Sequence, residues 1–97
     1  MSAHIRVTAV LMGLPGKGEA IRDAMAEVAG MTRREEGCIE YEPHVCATDS
    51  NRFLFAEEWA SKDHLDAHLQ QPHLKAFQAK VSPLLARETE VAIWRKL

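Results

Sequence analysis

A chain of 97 residues with 46% hydrophobic and 27% charged residues has the composition of an ordinary folded domain, far from the low-hydrophobicity, high-charge regime of disorder. A formal charge of -2 leaves no excess of cations to collect phosphates, and no Lys/Arg run interleaves with aromatics, so neither nucleic acid nor an anionic membrane surface is an expected partner. The length argues for a single domain over residues 1–97.

Residues 4–12, HIRVTAVLM, alternate Ile5, Val7, Ala9 and Leu11 against Arg6, Thr8, Val10 and Met12, and predict a strand. The run 7–12 is too short for a signal-peptide core and lacks a basic leader, which points to a cytoplasmic protein. Leu14-Pro15-Gly16-Lys17-Gly18 breaks the pattern and launches a helix. From Glu19, the residues Ile21, Ala24, Met25, Val28 and Met31 recur at helical spacing up to Gly37, the predicted stop. Arg33-Arg34-Glu35-Glu36 reads as a solvated helix end, and the three methionines at 12, 25 and 31 as core or pocket lining.

Residues 38–45 alternate Ile39, Tyr41, Pro43 and Val45 against Glu40, Glu42 and His44, and Pro43 suggests an edge strand or a bulge. Thr48-Asp49-Ser50-Asn51 has turn chemistry, and residues 52–60 return with Phe53, Phe55, Glu57 and Trp59 on one face, making a hairpin. Cys38 and Cys46 lie about 26 Å apart in an extended strand, too far for a disulfide, and neither forms a CxxC pair. They are expected as reduced thiols.

Ser61 is placed to cap a following helix with Asp63 in its first turn, Pro72 restarts a second helical piece carrying Leu74, Phe77, Val81 and Leu84, and Pro83 stops it. Residues 88–96 close the chain as a strand, with Val91 and Ile93 on one side and Ala92 and Trp94 on the other. The order β-α-β-β-α-β is that of an α+β, ferredoxin-like domain: an antiparallel sheet with its helices on one face. Both parities of the first, third and last strands carry apolar residues, so the second face needs a cover. A homodimer with two such sheets face to face is the simplest one.

Four of five histidines, the single tyrosine and one of two tryptophans fall between residues 37 and 77. In this stretch the chain resembles the antibiotic biosynthesis monooxygenase family, especially its small quinol monooxygenase branch. The resemblance covers nearly the whole chain and is strongest in Gly37-Cys38-Ile39-Glu40-Tyr41, Asn51-Arg52-Phe53, Glu57-Glu58-Trp59 and Leu65-Asp66-Ala67-His68-Leu69-Gln70-Gln71-Pro72-His73. It implies a dimeric α+β barrel with a pocket between sheet and helices in each subunit. It also implies oxidation of a phenol, quinol or other small aromatic by dioxygen without metal, flavin or haem. A deprotonated, electron-rich ring can itself pass an electron to oxygen, so the protein has to supply a base, orient the ring and exclude water.

His68 is the first candidate for that base: a neutral imidazole accepts a phenolic proton near neutral pH, and His68 borders the Leu65 and Leu69 stripe at roughly 80° from its centre. Set against this is a half-buried histidine bonded to backbone. Tyr41 is a candidate donor to a substrate oxygen and Glu57 a candidate to orient or charge His68; Trp59, His73 and Phe77 are candidates to wall the pocket. Each also has a plain packing or ion-pairing explanation. His64 and His68 stand four apart with His73 nearby, but without a placed third ligand the set makes no metal site on sequence. The haem-degrading relatives have a tryptophan where this chain has His68, a haem-binding histidine where it has Gln78, and an asparagine near Thr8 and Ala9; all three are absent. Two other functions remain open: isomerisation of a small phosphorylated hydroxyketone by proton shuttling between His68 and Glu57, and a non-catalytic dimeric module that binds a small molecule. Gly16-Lys17-Gly18 is too short for a phosphate loop, which speaks against the isomerase.

Overall fold

The computed structural model describes residues 4–97. Its elements are β1 (Ile5–Met12), α1 (Gly18–Thr32), β2 (Cys38–Cys46), β3 (Asp49–Trp59), α2 (Lys62–His68), α3 (Pro72–Val81), a 3-10 turn at Ser82–Leu84, and β4 (Glu90–Trp94). The four strands form an antiparallel sheet in the order β2-β3-β1-β4 with the helices against one face, the expected α+β ferredoxin-like arrangement.

Alternation sets the two faces. Val7, Ala9 and Leu11 of β1 and Phe53, Phe55 and Trp59 of β3 point to the helices and are buried. Ile21, Ala24, Met25 and Val28 of α1 and Leu65, Leu74 and Phe77 of α2 and α3 close over them. Pro43 is tolerated because β2 is an edge strand, as its lack of an N–H requires.

Several boundaries differ from the sequence reading. Helix α1 ends at Thr32, and a chain of turns carries residues 33–37 to Gly37, whose φ of +81° only glycine adopts freely. Thr32 is fully buried whereas Met31, expected inside, is 44% exposed, so the inward stripe advances by one residue in the last turn. A register shift between Cys38 and Glu40 turns Ile39 outward and gives its inner place to Cys38, which is paired with Trp59. The hairpin turn tightens to Ala47-Thr48, and Asp49, Ser50 and Asn51 join β3. Strand β4 keeps only five residues, with the expected parity: Ile93 pairs with Val7 on the helix side, and Trp94 pairs with Arg6 on the far side.

Ser61 caps α2, its Oγ accepting from His64 N at 3.3 Å. Pro72 occupies the first turn of α3. The break between them, at Leu69-Gln70-Gln71, lets α2 end with His68 pointing inward. On the far face of the sheet, Arg6 pairs with Glu58 at 2.9 Å and Glu40 at 3.7 Å, and Trp94 Nε1 donates to Thr8 Oγ1 at 2.9 Å. That face also carries Val10, Leu54 and a 54%-exposed Trp94.

Candidate active site

A cavity of about 410 Å³ lies between the sheet and helices α2 and α3. Its floor is Val7, Ala9 and Leu11 of β1 with Phe55 of β3; Leu65, Leu74, Phe77 and Val81 roof it from the helices. Val91 and Ile93 of the edge strand line it while remaining more than half exposed, so the opening runs along β4, beside Arg87, Glu88 and Thr89. This volume and apolar wall fit a small, largely apolar molecule.

Tyr41, Glu57 and His68 provide the polar groups of the buried end. His68 stacks at a tilt on Trp59, ring centroids 4.6 Å apart, and meets the Tyr41 ring edge-on at 5.4 Å. With the residue 2% exposed, burial depresses the His68 pKa below the ordinary imidazole value, while the hydrogen bond it donates to Glu35 and the charge of that carboxylate oppose the fall, so the neutral ring is favoured at neutral pH. Nδ1 stands 2.9 Å from Glu35 Oε2. A carboxylate accepts, so Nδ1 carries the proton and Nε2 keeps a lone pair. No side chain or backbone group among the described residues bonds Nε2.

Glu57 is buried on β3, and its Oε1 accepts from Trp59 Nε1 at 2.9 Å. Burial pushes its pKa up to about 7 despite that hydrogen bond, so near neutral pH it holds a proton much of the time. Burial and the neighbouring Glu57 hold the Tyr41 phenol far above its ordinary range, keeping it a donor. The Thr32 hydroxyl beside Tyr41 is buried and reaches no partner in good hydrogen-bond geometry.

Of the six residues singled out from sequence, the structure therefore brings His68, Tyr41, Glu57 and Phe77 to the cavity wall. Trp59 is fully buried behind His68, and serves the cavity through that ring. His73 lies behind His68 as well, with Nε2 2.7 Å from the same Glu35 Oε2. The group that orients His68 is Glu35, not Glu57, whose hydrogen bond goes to Trp59. The charged run 33–36 predicts a solvated helix end, whereas the structure turns the Glu35 side chain inward, leaving it 9% exposed. One signal was available: position 35 extends the Ile21, Val28 heptad by one more step.

The ligand atoms of Glu35, His68 and His73 lie within 4.8 Å of one another. Contacts of 2.7 and 2.9 Å to one oxygen are hydrogen-bond distances. Two ligands on a tetrahedral ion at about 2.0–2.1 Å sit roughly 3.3 Å apart. The trio as built is a hydrogen-bonded chain. His64 is outside it, its Nδ1 2.7 Å from Ser61 Oγ.

The structure thus combines an antiparallel α+β domain with an apolar cavity that ends at a carboxylate-bonded imidazole. Comparison with known proteins narrows the class: the profile of the family described as Antibiotic biosynthesis monooxygenase matches residues 4–80, and the chain belongs to that family. It is 34% identical over 87 residues to the Escherichia coli K12 protein named Probable quinol monooxygenase YgiN, covering 79% of this chain and 84% of that one. Rv0793 of Mycobacterium tuberculosis is 31% identical over 93 residues, 96% of this chain and 91% of its own, and its solved structure superposes with a TM-score of 0.91. A conserved protein from Methanosarcina mazei Go1, 30% identical, superposes with a TM-score of 0.93 over 98% of this chain and 94% of its own. The Synechocystis protein sll1783 is 39% identical over 64 residues, which make up 66% of this chain; the match spans 44% of that relative's length.

Proposed function

We propose that this protein is a cofactor-independent monooxygenase that oxidises a quinol, phenol or related small aromatic with dioxygen. The observation that carries the reading is His68: neutral, buried, fixed through Nδ1 by Glu35, and left with an unpaired Nε2 at the wall of an apolar cavity. Membership of a monooxygenase family and the name of the YgiN relative support the same reaction class.

The chemistry balances without a further redox partner. His68 Nε2 removes a hydroxyl proton from the substrate, and the phenolate passes one electron to dioxygen. The resulting radical and superoxide combine, forming a C–O bond at a ring carbon that still bears hydrogen. The imidazolium returns its proton to the peroxide. The O–O bond then breaks as that carbon loses its hydrogen as a proton, so the C–H electron pair becomes the new C=O, and hydroxide plus proton leave as water. Substrate plus O2 thus gives a quinone-type product plus water. Tyr41 and protonated Glu57 are the donors available to steady the substrate and peroxide oxygens. The apolar wall keeps water away from the radical pair.

The same reading includes a homodimer in which the far faces of two sheets meet. The half-buried Val10 and Leu54 and the exposed Trp94 on that face support it.

The test is oxygen uptake by metal-stripped protein across a panel of hydroquinones and naphthols, corrected for spontaneous oxidation. Wild type is expected to consume oxygen with at least one of them, and His68→Ala to lose ~100-fold or more, the scale of a missing general base. Uptake that His68→Ala leaves intact would remove His68 from the mechanism. No uptake with any substrate would reject the oxygenase reading.

A further inference from the structure

Two imidazoles share one carboxylate oxygen behind the cavity. His68 Nδ1 approaches Glu35 Oε2 from α2 at 2.9 Å, and His73 Nε2 approaches it from α3 at 2.7 Å. Their surroundings differ: the side chain of His68 is 3% exposed and borders the cavity, whereas that of His73 is 18% exposed and borders two surface clefts. A single oxygen accepting from both rings divides its charge between them, and the division changes when one ring becomes a cation.

We infer that His73 is a positioning residue for the cavity base: its N–H holds Glu35 in place against His68 Nδ1–H, and its protonation from the solvent side draws the carboxylate's charge away and makes His68 a weaker base. This rests on the reading of His68 as the base and adds a residue that touches no substrate. His73 was expected at the pocket wall, and its place behind Glu35 gives it this role instead.

The titratable groups near His68 are Glu35 from the turn after α1, Tyr41 from β2, Glu57 from β3 and His73 from α3. Around His73, the clefts add Arg34, Glu36 and His64 on one side and Glu27 and Lys80 on the other. Among the described residues Glu35 alone is hydrogen-bonded to both rings. The signs are separable. The Glu35 charge favours His68 imidazolium, and a charged His73 opposes it.

The experiment is an NMR pH titration of the full chain with isotope-labelled histidine, following each ring in wild type, Glu35→Gln and His73→Gln. Glu35→Gln keeps the shape and removes the charge, so the His68 midpoint moves down or out of the folded range. His73→Gln keeps an N–H donor and removes the competing cation, so the midpoint moves up by about half a pH unit, roughly threefold in proton affinity. In wild type, the His68 resonances also show a second step at the His73 midpoint, a measurement that needs no folded variant. Overturning results are a His68 midpoint that His73→Gln leaves unchanged or lowers, or a wild-type curve without the second step. The titration contains no substrate. Opposite shifts without oxygen uptake would therefore reject the oxygenase reading and leave the role of His73 standing.

Discussion

Glu57 sits where a carboxylate is costly: buried under the helices, with Trp59 Nε1–H as its one hydrogen bond. Its folded pKa of about 7 lies above the unfolded value, so the native state holds a proton that the unfolded chain releases at lower pH. Stability from this group therefore falls as pH rises from about 4.5 to 7, and the full penalty, about 3 kcal/mol, persists above that. Glu57→Gln, which still accepts from Trp59, is predicted to melt several degrees above wild type at pH 8 and to lose that advantage below about pH 4.5. Equal melting temperatures at pH 8 would show that Glu57 ionises without cost. His68 has the opposite sign, since its depressed pKa leaves the native ring neutral while the unfolded chain takes up a proton below about pH 6.5. The place of His68, Tyr41 and Glu57 at the cavity wall was legible because residue type and strand or helix parity already set them beside an apolar stripe. That of Glu35 was not, because its contacts come from a turn that carries it to residues more than thirty positions away.

Among the elements, the turn from α1 to β2 does the most for the site. Gly37 has φ +81°, and a Cβ there would come within 2.2 Å of the His64 ring. Its carbonyl accepts from Ala60 N at 2.8 Å, tying the turn to the end of β3. Gly37→Ala is predicted to cost about 1–3 kcal/mol in left-handed backbone alone and more through displacement of His64, with a matching drop in the denaturant midpoint. A variant as stable as wild type would mean that the turn relaxes freely. The order and type of the elements followed from hydrophobic period, proline and capping signals, as with Ser61 and Pro72. The boundaries did not: the shift at Cys38 and the early end of α1 depend on pairing with Trp59 and on burial of Thr32, which are tertiary facts.

At the scale of the whole molecule, the sheet separates two surfaces, with a cavity under the helices and a partly apolar face behind. No helix among the described residues is long and apolar enough to cross a membrane. Sedimentation velocity is predicted to give a dimer for wild type, and a folded monomer for Leu54→Glu, which places a charge amid the far face. A wild-type monomer at tens of micromolar would remove the two-sheet interface. The reaction has one sharper signature. With the most active hydroquinone and metal-free protein under 18O2, mass spectrometry is predicted to find one labelled oxygen in the product and the other in water. A product that carries no label while peroxide accumulates would mean simple oxidation, and would contradict monooxygenation at the His68 cavity.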